Sequence, residues 1–346
     1  MHKINTFTHR VALALPLLVA TLFGAGGGAQ AQTALDKDLE IRIAKLEALT
    51  RFMRVEGNDV FFEGANVHVR DGSGSTNCGS SGCNGLGNLI VGYDEQGPRE
   101  FNVPETCPDQ ACMDEITASM NPKTGSHNVV VGFGHSYSSY GGLVAGRDNF
   151  VSGPYATVTG GILNTAGGSY SSVSGGHENT ASGYASSVSA GRLNEALQNY
   201  SSVSGGNSNQ ADAPEGSISG GRYNKASGVF STVAGGRSNT ASGSYSVVSG
   251  GFSNVASGGH DSVSGGYDNW AHGGSSAICG GRQNEASANY STVSGGRFNI
   301  SDGDSSSISG GYSGEATGSY SSIGGGYNDL VDKSYDFVAG TLWSDG

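Results

Sequence analysis

A fifteen-residue repeat constrains this chain more than any other feature, because self-similarity at a fixed period is typical of solenoid proteins. One unit runs from Val173 to Ser187 and reads Val-Ser-Gly-Gly-His-Glu-Asn-Thr-Ala-Ser-Gly-Tyr-Ala-Ser-Ser. We number its positions 1 to 15, beginning at the valine. Position 1 is aliphatic in every unit: Leu143, Val158, Val173, Val188, Val203, Ile218, Val233, Val248, Val263, Ile278, Val293, Ile308, Ile323 and Val338.

Three further positions are nearly invariant. Position 4 is glycine from Gly146 to Gly326, which indicates a corner that needs a positive φ or a very close backbone approach. Position 7 is asparagine from Asn149 to Asn299; asparagine tolerates the left-handed region, and amides stacked one coil apart can hydrogen-bond along the axis. Position 9 is nearly always alanine, so we expect a small inward side chain there.

This pattern predicts an all-β solenoid, a parallel β-roll of 15-residue coils. We expect two short strands in each coil, one formed by residues 170–174 and its counterparts and the other by residues 180–182. Stacked coils pair in parallel and in register at about 4.8 Å. A valine and an alanine fill each coil and leave no space to bury catalytic groups, so we expect no enzyme activity, no cofactor and no metal.

Sixty glycines among 346 residues would also suit collagen, but glycine is not found at every third position and there are only seven prolines. Much of the glycine instead falls at positions 3, 4 and 11, where we expect each to fix a corner. The net charge of −12 argues against a nucleic-acid partner and against attraction to an anionic membrane.

The N-terminal residues 1–31 have the pattern of a secretory signal peptide. A basic start and the apolar run at 11–23 precede Ala29-Gln30-Ala31, which predicts cleavage after Ala31. A membrane anchor is the alternative, although the apolar run is too short to span a bilayer. We therefore expect the mature chain to be exported, to the extracellular space or the outer cell surface.

Residues 32–55 predict a short coiled coil, since Leu39, Ile43, Leu46 and Met53 follow a spacing near 3.5. The alternative is an amphipathic helix that packs on its own domain. Residues 56–142 predict an irregular capping β region with cysteine-bearing loops. Within it, 89–93 and 129–132 have the pattern of two founding coils, and the regular roll occupies 143–346.

Four cysteines lie in the capping region as two pairs: Cys78, Cys83, Cys107 and Cys112. In an exported protein they are disulfide candidates with three possible connectivities, and a four-cysteine zinc site is the alternative. Cys279 stands at a position held mostly by serine, so we interpret it as a serine-sized substitution. The histidines of the repeats have no carboxylate at a recurring offset, so we expect them to face solvent: His135, His177, His260 and His272.

Two outward columns are candidates for contact with partners. A core with about one large aliphatic side chain per coil predicts lateral association of chains. Position 13 carries an interrupted aromatic column, expected on the strand face opposite the valines, which either seals a subunit interface or binds something outside: Tyr155, Tyr170, Tyr200, Phe230, Tyr245, Tyr290, Tyr320 and Tyr335. Position 5 carries an arginine stripe, either a solvated face or a grip for acidic glycans: Arg147, Arg192, Arg222, Arg237, Arg282 and Arg297.

The Val-Ser-Gly-Gly corner and the Asn-x-Ala-Ser-Gly-x-Tyr-Ser-Ser half resemble the head repeats of trimeric autotransporter adhesins of the YadA type, over about residues 85–340. The segment Arg42-Ile-Ala-Lys-Leu-Glu47 is similar to the arginine–glutamate pattern of trimeric coiled coils. The resemblance implies a left-handed, trimeric β-roll at a bacterial surface that binds matrix proteins or cells. Two departures are a period of fifteen rather than about fourteen, and the lack of the family's C-terminal membrane anchor, so we expect no direct membrane insertion.

Three functions follow from these patterns. The first is an exported adhesin-like structural protein that forms a homotrimer and presents a surface to an extracellular protein or glycan. The second is a passive fibre or coat component without a specific ligand. The third is an ice-binding solenoid, for which the corresponding rows are Ser-Val-Ser rather than Thr-x-Thr, apart from Thr157-Val-Thr159.

Overall fold

The structure is a computed structural model that describes residues 28–79, 82–92 and 122–340. Residues 1–27 of the predicted signal peptide lie outside these ranges. Cys107 and Cys112 lie outside them as well. The described residues fall into two compact units, divided between His68 and Val69.

The N-terminal unit contains one helix and one hairpin. Helix α1 spans Gly28–Thr50. Strands β1 (Met53–Glu56) and β2 (Asp59–Phe62) pair antiparallel across a turn at Gly57, whose φ is 59°. The coiled-coil prediction is therefore too long at its C-terminal end. Met53 belongs to β1, because the chain after Thr50 turns into the hairpin.

The apolar side chains of α1 are not covered within the N-terminal unit. Leu39, Ile43 and Leu46 are each at least 45% exposed. Both interpretations of this helix, a coiled coil and an amphipathic helix packed on its own domain, stay predictions.

The second unit is a parallel β-solenoid of about 14 turns. Its larger sheet, which we call the valine sheet, has 16 strands that carry position 1. These are Leu89–Val91, Val129–Phe133, Leu143–Arg147, Thr157–Val158, Ser172–Val173, Ser187–Val188, Ser202–Val203, Ser217–Ile218, Thr232–Val233, Val247–Val248, Ser262–Val263, Ala277–Ile278, Thr292–Val293, Ser307–Ile308, Ser322–Ile323 and Phe337–Val338.

The second sheet, which we call the alanine sheet, has 14 strands that carry position 9. These are Ser136–Tyr137, Phe150–Val151, Thr165–Ala166, Thr180–Ala181, Glu195–Ala196, Gln210–Ala211, Lys225–Ala226, Thr240–Ala241, Val255–Ala256, Trp270–Ala271, Glu285–Ala286, Ile300–Ser301, Glu315–Ala316 and Leu330–Val331.

Equivalent positions of successive coils pair with one another. Val173 pairs with Val188 and Ala181 pairs with Ala196, both in parallel. The predicted parallel, in-register stacking is confirmed. The strands are shorter than predicted: only Ser172 and Val173 of the segment 170–174 are in the sheet.

A third ladder, missed by the sequence analysis, runs along position 5. Each residue there forms a single parallel bridge with its counterpart in the next coil, from Arg147 and Ile162 to Tyr312 and Tyr327. Side chains at position 5 are therefore held in a regular column even though the strands on either side are only two residues long.

The interior is more polar than predicted. Position 1 and position 9 are fully buried, as in Val173 and Ala181. The asparagine at position 7 and the serine at position 14 are buried as well, as in Asn179 and Ser186. Each coil therefore buries two apolar and two polar side chains, so its polar groups need hydrogen-bond partners inside the roll.

The first coils are one residue shorter than the rest. Val130 pairs with Val144 and Val144 pairs with Val158, so these turns contain fourteen residues. Arg147 nevertheless pairs with Ile162, fifteen residues later. The additional residue of the regular coil is therefore position 3, the first glycine of the Gly-Gly corner.

This shorter turn corrects the assignment of Leu143 to position 1. Counting back fifteen residues from Val158 gives Leu143, but the structure aligns Leu143 with Thr157 at position 15. Val144 is the inward residue and is buried, whereas Leu143 is only half-buried.

Within the described ranges, no helix has both the length and the apolar composition that a membrane crossing requires.

Candidate binding surfaces of the solenoid

The first corner of each coil depends on the glycine at position 4. Gly236 has a φ of 82°, and a Cβ on it would overlap the carbonyl oxygen of Gly251 in the next coil. The positive φ and the close backbone approach, which the sequence analysis gave as alternative reasons for this glycine, are therefore both present. Position 3 differs: a Cβ on Gly235 would meet no atom within 4 Å, and its φ is not positive. The expectation that position 3 also requires glycine is wrong.

The buried asparagines form a continuous ladder behind this corner. Asn239 donates from Nδ2 to the carbonyl oxygens of Gly235, at 2.8 Å, and Gly251, at 3.0 Å. Its Oδ1 accepts a hydrogen bond from the backbone N–H of Asn254 at 3.0 Å. The stacking along the axis is as predicted, although the bonds join amides mainly to backbone groups.

A second residue of this corner, after the glycine at position 4, has a left-handed φ, and it is not the asparagine. Ser238, at position 6, has a φ of 58°, and its N–H donates back to the carbonyl oxygen of Arg222 in the preceding coil at 2.9 Å. The neighbouring bonds run to the following coil, as from Arg237 to Gly251. Each corner thus bonds to both neighbouring coils, which holds the side chains at positions 5 and 6 at fixed angles.

His135 corrects the prediction that the histidines of the repeats face solvent. It occupies position 7 of a fourteen-residue coil, is fully buried, and accepts the N–H of Asn149 at Nδ1, at 3.2 Å. The sequence offset concealed this role, because the coil lacks position 3. His177, His260 and His272 are on the outside: His177 contacts Glu178, and His260 stacks on Tyr245.

The aromatic column at position 13 lies in the second corner, not on the strand face opposite the valines. Tyr170 and Tyr245 have φ values of 59° and 58°, and both side chains are at least half exposed. The buried serine at position 14 follows each of them. A turn therefore separates the aromatic residue from the sheet and points it outward.

Neighbouring aromatic rings of this column stack on one another. Tyr155 and Tyr170 are 5.2 Å apart and nearly parallel, as are Phe230 and Tyr245 at 4.9 Å. Tyr184, from position 12, contacts Tyr170 and Tyr200 at 5.6 Å and 5.5 Å, so it bridges the coil where position 13 is alanine. The ladder is therefore more continuous than its sequence column.

The arginine stripe at position 5 is divided by the structure. Arg147 pairs with Asp148 at 3.1 Å, and Arg192 lies between His177 and Asn207 in the ladder. The other four arginines join four aromatic residues in eight successive coils. We call this surface the arginine–aromatic band: Arg222, Arg237, Phe252, Tyr267, Arg282, Arg297, Tyr312 and Tyr327.

The centre of the band is a four-layer stack. The rings of Phe252 and Tyr267 are 5.2 Å apart and inclined by 11°. The guanidinium carbon of Arg237 lies 5.5 Å from the Phe252 centroid, and that of Arg282 lies 5.0 Å from the Tyr267 centroid. The two cations thus flank the two rings, in an arrangement stabilised by cation–π attraction.

The two outer arginines of the band also lie over aromatic rings. Arg222 lies over the ring of Tyr223 at 4.6 Å, and Arg297 lies over Phe298 at 4.5 Å and Tyr312 at 5.8 Å. In the described part of the chain, none of the four arginines has an acidic side chain within ion-pair distance, and all four are exposed. The band therefore carries four exposed cations without an ion-pair partner among the described residues, on a protein with a net charge of −12.

Acidic side chains gather on a different face. The outward positions 8 and 10 of the alanine sheet carry Glu195, Asp212, Glu285, Asp302, Glu315 and Asp332. Lys225 there pairs with Asp212 at 2.9 Å. Most of the charge is thus segregated around the coil, with cations at position 5 and carboxylates three to five positions later. Asp268, at position 6, is an exposed carboxylate in the same corner as the band.

The same acidic face carries a small cluster that the sequence analysis missed. The ring of His272 packs on Trp270 at 4.2 Å and its Nε2 lies 2.8 Å from Oε1 of Glu285. Trp270 donates from Nε1 to the hydroxyl of Ser257 at 3.1 Å. The aromatic members of position 5 were missed too, although Phe252 and Tyr267 stand in the same sequence column as the arginines.

One disulfide is formed among the described cysteines. Cys78 and Cys83 are joined, which selects the local pairing among the open connectivities for these two residues. Cys279 is a free, exposed thiol at position 2. In the described ranges, no three histidine, cysteine, aspartate or glutamate side chains are grouped closely enough to hold a metal ion.

Two charged groups of the capping regions have shifted pKa values. Hydrogen bonds from Ser73 lower the pKa of Asp71, whose carboxylate also lies 3.4 Å from Nε2 of His127. Hydrogen bonds to Glu63 and Glu56 raise the pKa of Arg54. Both interactions fix the capping segments and neither lies near the arginine–aromatic band in sequence.

Comparison of the chain with protein-family models gives no match, and comparison with curated proteins gives none either.

Proposed function

We propose that this chain is an exported, adhesin-like structural protein of the trimeric autotransporter head type, displayed or released outside a bacterial cell. The observation that carries the proposal is the division of each coil into a nearly constant interior and more variable outer columns. The interior holds mainly Val or Ile, Ala, Asn and Ser, whereas positions 5, 6 and 13 vary and are mostly exposed. A rigid rod with a regular interior can present long rows of side chains to a partner.

Exposed rows of apolar side chains that suit lateral association of chains support the same proposal. The exposed apolar side chains of α1 are Leu39, Ile43 and Leu46, which a parallel coiled coil would cover. The stacked rings at position 13 are also exposed and provide a second apolar row. Repeated apolar side chains exposed along one chain are typical of surfaces that contact other proteins.

Export and processing form part of the proposal. The predicted signal peptide ends at Ala31, and the Cys78–Cys83 disulfide suits an oxidising compartment. The proposed role of the roll is to bind and support rather than to catalyse, because aliphatic side chains at positions 1 and 9, such as Val173 and Ala181, fill the interior of each coil. Its ligands are extracellular proteins or glycans.

Three measurements test the proposed function. N-terminal sequencing of the exported chain should give Gln32 as the first residue. Native mass spectrometry of that chain should give a trimer, and Ile43→Asn with Leu46→Asn should reduce it to monomers, whereas Lys45→Gln should leave it trimeric. The purified trimer should bind to cells or matrix-coated plates. A wild-type monomer that binds neither would overturn the proposal, and discrete trimers without any binding would favour a passive coat component.

A further inference from the structure

We propose that the arginine–aromatic band binds a linear acidic polysaccharide, whose carboxylate or sulfate groups pair with the guanidinium groups of four arginines along the rod. This inference rests on the proposed function, since it names the ligand class of one exposed surface of the adhesin-like roll. The four arginines are Arg222, Arg237, Arg282 and Arg297.

The aromatic rings pre-organise the cations. The guanidinium carbons of Arg237 and Arg282 lie over the rings of Phe252 and Tyr267, at 5.5 Å and 5.0 Å from the ring centroids. Arg222 donates from Nη2 to the hydroxyl of Tyr223 at 3.0 Å. The guanidinium groups of the other three arginines form no side-chain hydrogen bond among the described residues and can donate to a ligand. A guanidinium fixed in its plane loses less side-chain entropy when it forms a bidentate bond to a carboxylate or sulfate.

The spacing of the band suits an extended polymer. Arg222 and Arg237 are bridged neighbours, as are Arg282 and Arg297, so each pair is separated by one coil, about 4.8 Å. An extended pyranose chain advances by about one coil spacing per sugar residue. Sugar residues laid along the rod would therefore meet successive side chains of the band, and acidic groups would meet the arginine pairs.

The charges on the neighbouring face favour a narrow ligand. Carboxylates at positions 8 and 10, such as Glu285 and Glu315, lie next along the coil and repel a second row of anions. A nucleic-acid duplex is wide and carries phosphates on both strands, so it would meet both faces. A single polysaccharide chain can follow the band alone.

A second copy of this chain is the competing occupant. Its acidic alanine-sheet face would complement the band, in which case the arginines would hold chains together. The ligand and the assembly are separable, because binding and native mass are measured independently.

The experiment uses the full exported chain and four immobilised probes at low and physiological salt. Polygalacturonate presents carboxylates, dextran sulfate presents sulfates, dextran is neutral, and duplex DNA is the wide polyanion. We expect retention on one or both acidic polysaccharides, weakening as salt rises, and none on dextran. Retention on duplex DNA that equals or exceeds retention on both polysaccharides would overturn the inference.

Two variants with equal changes in charge test the position of the site. The band variant replaces its four arginines: Arg222→Gln, Arg237→Gln, Arg282→Gln and Arg297→Gln. The control variant removes four cations of the roll outside the band: Arg147→Gln, Arg192→Gln, Lys225→Gln and Lys333→Gln. We expect affinity to fall by about tenfold or more in the band variant and by less than about twofold in the control, since each exposed ion pair contributes modestly.

Two further variants test pre-organisation. Replacing the four band arginines by lysine keeps the charge and removes the planar fork, and replacing Phe252 and Tyr267 by asparagine, as found at Asn207, removes the stack. Both should weaken binding by about threefold to tenfold. Circular dichroism and native mass should be unchanged in all variants.

The outcomes separate this inference from the proposed function. Equal losses in the band and control variants, or no polysaccharide binding by a trimer that still binds cells, would overturn the inference alone. A band variant that loses its native mass while wild type retains no polysaccharide would identify the band as a contact between chains. A wild-type monomer that binds neither cells nor matrix would overturn the proposed function, whatever the band binds.

Discussion

The two corners of each coil turn the chain by different means. In the first corner, Gly236 combines a left-handed φ with a backbone approach that leaves no space for a Cβ, and the buried amide of Asn239 bonds three backbone groups behind it. In the second corner, the left-handed residue is Tyr245, an exposed side chain, and a buried serine follows it. The conformation of the first corner is fixed by a close backbone approach and a buried asparagine side chain. The conformation of the second corner depends mainly on backbone hydrogen bonds.

This difference explains which sequence columns vary. Position 4 is glycine in every coil from Gly146 to Gly326, whereas position 11, in the second corner, also accepts Gln198, Ala213, Ala288 and Lys333. A Cβ at Gly243 would overlap the carbonyl oxygen of Gly258, but the φ there is not left-handed. Residues with a Cβ at position 11 indicate that the second corner adjusts to this side chain, whereas position 4 combines the close approach with a left-handed φ that an L-residue rarely adopts.

The largest expected effect is in the first corner. Gly236→Ala should lower the free energy of unfolding by about 4 kcal/mol, because it adds a left-handed alanine and a clash with the next coil. Gly235→Ala, one residue earlier, should change it by less than about 0.5 kcal/mol, since the site is open and Ala190 already occupies position 3. Urea unfolding followed by circular dichroism measures both, and similar losses would contradict the distinction between positions 3 and 4.

The second-largest effect concerns the asparagine ladder. Asn239→Ala should cost about 3 kcal/mol, because it leaves the N–H of Asn254 and the carbonyl oxygen of Gly235 without these partners inside the roll. Asn289→Ala, at an exposed position, is the matched control and should have little effect. If the two variants unfold at the same urea concentration, the ladder does not stabilise the roll.

The smallest effect is expected in the second corner. Gly243→Ala should cost about 1 kcal/mol, because the backbone shift that makes room for the Cβ breaks the 3.3 Å bond from the N–H of residue 243 to the carbonyl oxygen of Ala256. Ala213 and Ala288 show that the repeat accommodates this side chain. A loss as large as that of Gly236→Ala, measured in the same unfolding series, would mean that the two corners are equally rigid.

Much of the fold could be predicted because its period is visible in the residues that face inward. Val173, Ala181 and the glycine at Gly176 identify the strands, the interior and a corner without any knowledge of the structure. Leu143 and His135 were misplaced because a constant period was assumed through coils that lack position 3. Tyr170 was misplaced because alternation predicts a longer strand than the turn allows.

The candidate site was predictable in part. The arginines of position 5 were found by their column, but their grouping into a band depends on contacts of Arg237 with Phe252 and of Arg282 with Tyr267. Spacing alone also left the pairing of Cys78 open, since two cysteine pairs permit three connectivities. The direction of each side chain and the pairing of the cysteines depend on the folded backbone, so the repeat pattern in the sequence does not determine them.

The in-register ladder has a consequence for how such a molecule changes over generations. Each regular coil offers the next the same donors and acceptors that it receives from the previous one, as the bonds of Asn239 with its neighbours illustrate. Duplication or deletion of whole fifteen-residue units would leave every remaining junction unaltered. The length of the solenoid can therefore change in steps of about 4.8 Å for each coil that is added or deleted, without any change in the sequence of the unit.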